Sequence, residues 1–302
     1  MRIASLLPST TELACALGLE SHLVGVSHEC DFPVSVQTLP HLTSSIIPHG
    51  LSQREIDNFV RDAVKRGLSL YNVDIELLLS LEPDIILTQG LCDVCAVTPD
   101  TIETSLRGVQ CTLPASCTVV TTTGTSVEGI FDDLRMIAKA TNSLQTAERL
   151  IKESKNKLQE INDMATKTSI LGLEWVDPFF SAGHWVPEQI EAIGATSAIG
   201  SPTEHSRTLS VEEIIDSDPD IIIVLCCGFG LTDNLTFAEK LYSIDSIKSL
   251  RAVQNNQIWA IDANAFCSRP TIRVVDGSVH MAEGLQNGDI PGILQRVRNP
   301  NQ

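Results

Sequence analysis

Five residues with side chains that commonly bind metals are expected to lie in loops. They are His28, Cys30, Cys92, Cys95 and Cys267. Cys92 and Cys95 form a Cys-x-x-Cys pair, and His28 and Cys30 form a His-x-Cys pair; both supply ligand types for zinc or an iron–sulfur centre. The gap of 61 residues between Cys30 and Cys92 exceeds the spacing of compact zinc modules, so only the tertiary fold could unite the pairs. Alternatively, Cys92 and Cys95 are a redox pair, or the thiols have neither role.

Aromatic side chains concentrate in segments that follow predicted strands and that we assign to loops. Of the 3 tryptophans and 8 phenylalanines in the chain, six lie there: Trp175, Phe179, Phe180, Trp185, Phe229 and Phe266. Rings at such positions favour a large ligand with a flat and partly apolar face. The alternative is that the rings pack beneath long loops and contact no ligand.

The same loops and their neighbours carry polar side chains that are candidates for ligand binding. This set comprises Ser9, Thr10, His28, Glu29, Asp31, Cys92, Asp93, Glu174 and His184. Ser9 and Thr10 are expected at the capped N-terminus of a helix, where backbone N–H groups could hold a carboxylate, an amide or a phosphate. An ordinary helix cap would have the same sequence.

The elements that position these loops are short aliphatic strands flanked by helices. Such strands are typical of mostly parallel sheets covered on both faces, that is, of the α/β class. The predicted strands are residues 2–6, 23–26, 85–88 and 119–121 in a first lobe, and 168–173, 221–225 and 257–261 in a second. Ligands of such sheets bind at the carboxyl ends of the strands, which is where the candidate loops begin.

An internal repeat indicates two copies of one α/β unit. ELLLSLEPDIIL at 76–87 matches EEIIDSDPDIIIV at 212–224, and ELACALG at 12–18 matches EQIEAIG at 188–194. Between the copies, residues 146–165 have the pattern of an amphipathic helix, which would be about 30 Å long. We therefore expect an N-terminal lobe over 1–142, a connecting helix within 143–167 and a C-terminal lobe over 168–302, with a cleft between the lobes.

Composition excludes several classes of function. The 302 residues are 43% hydrophobic and carry a net charge of −17, so the chain can bury a core and repels nucleic acid and anionic membranes. No apolar run reaches the roughly 18 residues of a membrane-spanning helix, and no membrane insertion is expected. The first residues lack the apolar stretch of a secretory signal. As written, the chain is expected in the cytoplasm, or in the periplasm or another extracytoplasmic location if a signal was trimmed.

Several segments together resemble one known family. RIASLLPSTTELACALGL, LVGVSHECDFP, EPDIILTQ, GLEWVDPFFSAGHWVPE and SRPTIRVVDG are similar to the class III periplasmic substrate-binding proteins of ABC importers, and within them to the cobalamin-binding branch. The resemblance covers about residues 2–285. It implies two α/β lobes joined by one long helix, with a ligand between the lobes. It places an aromatic wall on Trp175, Phe179, Phe180 and Trp185, and a polar junction on Ser268 and Arg269.

The favoured hypothesis is a non-enzymatic binding protein for cobalamin or a similar corrinoid or metal chelate. Arg269, Glu174 and loop N–H groups would bond to the amides of the corrin, and His28 or His184 could be an axial cobalt ligand. The resemblance also implies an ABC permease as partner, with Glu55, Asp57 and Glu204 as acidic docking candidates. The alternatives are a zinc, iron–sulfur or thiol-redox protein, and an enzyme using Glu29, Asp31, Glu174 and Asp177 as acid and base. No nucleophile elbow, P-loop or Gly-x-Gly-x-x-Gly pattern supports the enzyme.

Overall fold

The parallel sheets expected from the sequence are present in a computed structural model of the chain, which describes residues 1–90, 113–114, 116–162, 164 and 167–299. The chain divides into two compact units. Unit 1 comprises Met1–Gly124 and Glu128–Leu150, and unit 2 comprises Thr125–Val127 and Ile151–Gln302. The division at Leu150 falls inside the segment 143–167 in which we predict the connecting helix. That helix spans Leu144–Glu160, so it ends earlier than the predicted residue 165.

Unit 1 is built on a four-stranded parallel sheet. Its strands are β1 (Ile3–Ser5), β2 (Leu23–Gly25), β3 (Thr43–Ser45), β4 (Tyr71–Val73), β5 (Ile85–Gln89) and β6 (Thr118–Thr122). The sheet has the order β2-β1-β5-β6, and β3 and β4 form a separate antiparallel pair. The sequence analysis missed β3 and β4 because each has only three residues and no aliphatic run.

The first half of the chain holds five α-helices among its described residues. They are α1 (Pro8–Ala16), α2 (Gln53–Lys65), α3 (Ile75–Ser80), α4 (Val127–Ala140) and α5 (Leu144–Glu160), with short 3-10 turns at Glu20–His22 and Val34–Thr38. Strand β5 is buried at every position, as expected for a central strand covered on both faces. Ile86 of this strand packs with Leu6, Leu42 and with Ile75 and Leu78 of α3.

Unit 2 is built on a larger mixed sheet. Its strands are β7 (Ser169–Val176), β8 (Phe179–Ser181), β9 (Thr196–Ser197), β10 (Ile221–Val224), β11 (Ile258–Ile261) and β12 (Leu294–Arg296). The order is β12-β11-β10-β7-β8, and β9 pairs with β7. Strands β7, β10 and β11 are parallel, whereas β8 and β12 are antiparallel to their neighbours. The predicted aliphatic strands are the parallel ones, so the α/β class is confirmed.

Helices cover this sheet and bury its aliphatic strands. They are α6 (Val186–Ala192), α7 (Val211–Ser217), α8 (Leu231–Leu241), α9 (Arg251–Gln254), α10 (Ala263–Phe266) and α11 (Arg273–Asn287), with a 3-10 turn at Asp245–Ile247. Ile222 and Val224 of β10 pack with Ile214 of α7 and with Ala238 and Leu241 of α8. Among the described residues, no helix combines the length and the apolar character that crossing a membrane requires.

The internal repeat has a physical basis in how each copy joins a helix to a strand. Glu82 and Asp218 occupy the same repeat position, and both have positive φ, 44° and 33°. The aspartate two residues later anchors the neighbouring strand in each copy. Asp84 Oδ2 accepts a 2.8 Å hydrogen bond from the Arg2 amide, and Asp220 Oδ2 accepts one of 2.9 Å from the Ser169 amide.

The first turn of helix α7 offers a test of how the sequence stabilises the start of a helix. Ser210 Oγ accepts from the Glu213 amide at 3.1 Å, and Glu213 Oε2 accepts from the Ser210 amide at 2.9 Å, which forms a capping box. We expect Ser210→Ala to cost about 1 kcal/mol, which lowers the Tm by about 2–4 °C in a unit of this size. Ser246→Ala, at an exposed turn position, is the control and should leave the Tm nearly unchanged. A Tm for Ser210→Ala equal to that of the control would contradict the capping role.

Candidate functional site

The register of the parallel strands brings three chain segments to one edge of the unit 2 sheet. Val224 at the end of β10 pairs with Leu173 of β7 and with Ala260 of β11. The residues that follow these positions are therefore neighbours: Glu174 onward, Leu225–Gly230 and Asp262 onward. This is the carboxyl edge, where ligands of α/β sheets bind.

The segment predicted as a loop after β7 is in fact strand. Strand β7 continues to Val176, turns at Asp177 and Pro178 and returns as β8, with Trp175 paired to Phe180 and Val176 paired to Phe179. We took the segment for a loop because Glu174 and Trp175 interrupt the aliphatic run. Directly paired residues project on the same face of a sheet, so Trp175 and Phe180 share one face. Both are partly exposed.

Phe179 packs in the core of unit 2. It is 9% exposed and lies in the buried cluster with Leu171, Leu209 and Ile214. Its role as a ligand-binding ring stays a prediction. Strand alternation turns Phe179 and Phe180 to opposite faces.

Three partly exposed rings form an aromatic patch at the carboxyl edge, comprising Trp175, Phe229 and Phe237. The centroids of Trp175 and Phe229 are 5.5 Å apart, and those of Phe229 and Phe237 are 4.9 Å apart at an interplanar angle of 88°. These separations are those of attractive aromatic pairs. Sequence reasoning missed Phe237 because it lies in helix α8; its signal was its position in the helix directly after the Phe229 loop.

A buried asparagine holds the loop that carries Phe229. Asn234 is fully buried, and its Oδ1 accepts from the Cys226 amide at 3.0 Å. Its Nδ2 donates to the carbonyl oxygens of Phe229 at 3.3 Å and Ile261 at 2.9 Å. One side chain thus ties the end of β10 to the end of β11 and fixes the Phe229 backbone. Asn234 is a positioning residue that the sequence analysis did not identify; a polar residue among the apolar positions of α8 was its only signal.

Trp185 is a core residue and not part of the aromatic surface. Its side chain is 5% exposed, and its Nε1 donates a 2.6 Å hydrogen bond to the carbonyl oxygen of Cys267. A tryptophan whose N–H is satisfied inside the protein is a structural anchor. Ligand binding by the Trp185 ring stays a prediction.

The residues after β11 have mixed roles. Phe266 is partly exposed, but its ring packs 4.8 Å from His280 and lies 5.2 Å below the guanidinium of Arg273. It contacts helix α11 in this way. Ser268 Oγ is buried and has no hydrogen-bond partner among the described residues, and Arg269 is partly exposed. Ser268 and Arg269 stay predictions as ligand-binding residues.

Glu174 is the ionisable group at the centre of this edge. Its Oε1 accepts a 2.9 Å hydrogen bond from the Gly183 amide, and Ser206 also bonds to the carboxyl group. Surrounding protein atoms raise the pKa of Glu174 to about 7, because desolvation outweighs these two hydrogen bonds. Near neutral pH this group can therefore donate a hydrogen bond or accept one.

Cys267 lies close to Glu174 and is inert. It is 1% exposed, and burial, together with the nearby Glu174 and Asp262, raises its pKa far above the ordinary range. A buried thiol of this kind neither ionises readily nor reaches solvent. The prediction that Cys267 is a metal ligand therefore has no support.

In unit 1, two of the predicted site residues are structural. Helix α1 has Leu7 at its N-cap and Pro8 in its first turn, without a side-chain cap. Thr10 is 0% exposed, and its hydroxyl lies 2.7 Å from Ser5 Oγ. Thr11 Oγ1 donates to Ser5 Oγ at 2.8 Å and contacts Cys30 Sγ at 3.1 Å. Thr10 and Cys30 therefore take part in a buried network. Metal binding by Cys30 has no support, and ligand binding by Thr10 stays a prediction.

Ser9 and His28 lie near the same edge of unit 1. Ser9 is buried inside α1 and does not cap it. His28 Nδ1 lies 2.7 Å from Thr43 Oγ1, which itself donates to Ser27 Oγ at 3.0 Å. Thr43 therefore accepts from His28 Nδ1–H, which leaves the lone pair on Nε2. Burial lowers the pKa of His28, and nearby Glu29 partly opposes this.

The remaining predicted residues are exposed, are partly exposed, or lie outside the described part of the chain. Glu29, Asp31, Asp177 and Glu204 are exposed. Glu55 caps α2 by accepting from the Ser52 amide at 2.8 Å, and Asp57 pairs with Arg61 at 2.8 Å. Cys92, Asp93 and Cys95 lie outside the described residues. Within those residues, no group of three or more His, Cys, Asp or Glu side chains could hold a metal ion, and the zinc or iron–sulfur centre predicted at the cysteines and His28 has no support.

A comparison with protein families decides the class of protein. Residues 3–265 match the family described as periplasmic binding protein. The chain belongs to this family. It is a family of substrate-binding proteins, which supports a binding function over catalysis at the level of the family and implies a small-molecule ligand and an ABC permease as partner.

Individual relatives agree on the class but differ in ligand. The chain is 22% identical over 294 residues to the uncharacterized ABC transporter substrate-binding lipoprotein YvrC of Bacillus subtilis, covering 94% of this chain and 79% of that protein. It is 23% identical over 285 residues to the vitamin B12-binding protein of Vibrio cholerae, covering 91% and 85%. The crystal structure of the periplasmic heme binding protein HutB of Vibrio cholerae has a TM-score of 0.68 at 23% identity, covering 94% and 98%.

These descriptions bear on location. One relative is described as a lipoprotein and another as periplasmic. Neither supports the expectation that the chain acts in the cytoplasm.

The two tryptophans of the site are expected to respond differently to truncation. Trp185→Ala removes a buried ring and the donor to the Cys267 carbonyl, so it should cost about 3–5 kcal/mol. Trp175→Ala removes a partly exposed ring and should cost much less. Thermal unfolding of both variants measures the difference, and equal decreases in Tm would contradict the separation of core from patch.

The raised pKa of Glu174 predicts a pH dependence of stability. The pKa lies near 7 in the folded state against an ordinary value of 4.5, so the folded protein holds this proton more tightly than the unfolded chain. The stabilising effect is fully present below about 4.5 and is lost as the pH rises through about 7. The wild-type Tm should therefore fall relative to that of Glu174→Gln between pH 5 and pH 8. The exposed Glu239→Gln is the control, and a Glu174→Gln profile parallel to wild type would contradict the raised pKa.

Proposed function

We propose that this chain is an extracytoplasmic binding protein for cobalamin or a similar corrinoid, which it presents to an ABC importer. The aromatic patch carries the proposal: Trp175, Phe229 and Phe237 contact one another and keep part of their surfaces exposed at the carboxyl edge of unit 2. A corrin has a broad apolar face, and large aromatic side chains cover such a face with little loss of conformational freedom.

Rigid support of the patch favours ligand binding over loop packing. Asn234 fixes the backbone at Phe229 through three hydrogen bonds, two of which join different strands. Strand β8 fixes Trp175 by pairing Phe180 opposite to it. Rings that are held before the ligand arrives lose less entropy on binding, and this raises affinity.

The polar groups beside the patch suit the amide side chains of a corrin. Glu174, with its pKa near 7, can donate to an amide carbonyl or accept from an amide N–H. Ser268 Oγ is a buried hydroxyl without a partner among the described residues, and Arg269 is the next residue along the chain. We propose that these three residues orient the corrin amides.

Delivery to a permease follows from the family and from its relative described as an ABC transporter substrate-binding lipoprotein. Glu55, Asp57 and Glu204 remain the proposed docking residues. Of these, Glu204 is the exposed one in unit 2.

Titration with hydroxocobalamin tests the proposal. We expect quenching of tryptophan fluorescence, a shift in the visible spectrum of the ligand and, at 100 times the Kd, a stabilisation of about 2.7 kcal/mol. Trp175→Ala and Phe229→Ala should each weaken binding by at least about tenfold, which corresponds to about 1.4 kcal/mol. Phe59→Ala, in helix α2 of unit 1, is the matched control and should bind like wild type.

Haemin is the comparison ligand, because one structural relative is described as a heme binding protein. Binding of haemin without binding of hydroxocobalamin would contradict the corrinoid proposal. Equal hydroxocobalamin affinity in wild type, Trp175→Ala and Phe229→Ala would contradict the role of the patch.

A further inference from the structure

Two histidines that lie 21 positions apart in the sequence meet at the end of β8. His184 Nε2 and His205 Nδ1 are 3.1 Å apart, and the rings are nearly perpendicular with centroids 5.0 Å apart. The two rings come from different segments of unit 2, so the tertiary fold brings them together.

Backbone pairing brings the two segments together. The His184 amide donates to the Glu204 carbonyl at 2.6 Å, and the Thr203 amide donates to the His184 carbonyl at 2.9 Å. Two further bonds, from the Ser181 amide to the Arg207 carbonyl and from the Leu209 amide to the Phe179 carbonyl, extend this pairing along β8. A ladder of main-chain hydrogen bonds thus holds together the two segments that carry the rings.

His184 also has an unusual backbone conformation. Its φ of 54° lies in the left-handed region, which residues other than glycine seldom adopt and which costs free energy. The pairing with residues 203 and 204 keeps it there and aims the imidazole at His205. Such strain is common where a side chain must be held for a function.

The distance between the two nitrogens allows both of them to bind one metal ion. Imidazole nitrogens lie about 2.0–2.1 Å from zinc, so two nitrogens 3.1 Å apart would subtend about 100° at the ion, close to a tetrahedral angle. We propose that His184 and His205 form a binding site for a divalent transition-metal ion such as zinc, nickel or copper, for which imidazole is a preferred ligand.

The protonation state of the pair suits this role. Burial, and secondarily the adjacent His205, lowers the pKa of His184, which favours the neutral ring that a metal ligand requires. For an ion to bind, the proton shared by the two nitrogens moves to the other nitrogen of its own ring, so that both rings stay neutral and His184 Nε2 and His205 Nδ1 each present a lone pair. Two carboxyl groups belong to the segments that are hydrogen-bonded to residues 183 and 184, those of Glu174 and Glu204.

The remaining coordination positions are open to water or to an added donor. His205 is exposed, and among the described residues no third His, Cys, Asp or Glu completes the group. This site has two protein ligands, and neither ring belongs to the aromatic patch.

Calorimetric titration of the full chain with zinc chloride and with nickel chloride tests the site at pH 7.5. We expect one ion per chain and a rise in Tm. His205→Gln, at an exposed position, and His184→Asn, which tolerates the left-handed backbone, should each lower the affinity by at least about tenfold. His22→Gln, in unit 1, is the matched control and should bind like wild type. Circular dichroism of the metal-free variants establishes that they are folded.

Two results would overturn the proposal. One is the absence of binding by wild-type protein, and the other is binding that neither His184→Asn nor His205→Gln weakens. With copper(II), electron paramagnetic resonance should show nitrogen coupling that diminishes in both variants, and a spectrum unchanged in both would likewise contradict the assignment.

Discussion

The parallel register of β7, β10 and β11 is the constraint on which the candidate site depends. Because Val224 is opposite both Leu173 and Ala260, the three strands end at the same level and their following segments share one edge. Strand β7 alone runs two residues further than Glu174, since β8 pairs with its end. This extension of β7 places Trp175 against the ring of Phe229. It also places the Glu174 carboxyl group against the Gly183 amide, which follows β8.

Burial and exposure divide this edge into a supporting layer and a surface. Trp185, Asn234 and Cys267 lie below. Trp185 Nε1 donates to the Cys267 carbonyl oxygen, and Asn234 joins the ends of β10 and β11 through its hydrogen bonds. Trp175 and Phe229 lie above and remain partly exposed. Glu174 lies at the boundary between the two. Desolvation of its carboxyl group outweighs the hydrogen bonds from Gly183 and Ser206, and the pKa of Glu174 rises. A surface of rings over a rigid polar layer is what recognition of a large amide-bearing ligand requires.

The sequence was sufficient for the aliphatic strands but not for the shortest strands or for the roles of single rings. Aliphatic runs predicted β5, β10 and β11, and the repeated Pro-Asp positions proved to anchor equivalent strands through Asp84 and Asp220. Residue type could not separate Trp175 from Trp185, because only the tertiary fold places the Cys267 carbonyl under one of them. Strand β8 was missed since its three residues carry no alternating pattern. His205 gave no sequence signal either: its meeting with His184 is created by pairing across 21 positions.

Hydrogen–deuterium exchange with and without saturating hydroxocobalamin is the most direct test that the carboxyl edge of unit 2 is the ligand surface. Amides in segments that contact ligand open less often and exchange more slowly. The account predicts slower exchange in residues 174–184 and 226–230, with the opposite end of the sheet around Gln257 unchanged. Unchanged exchange in both segments, while the visible spectrum shows the corrinoid bound, would contradict it.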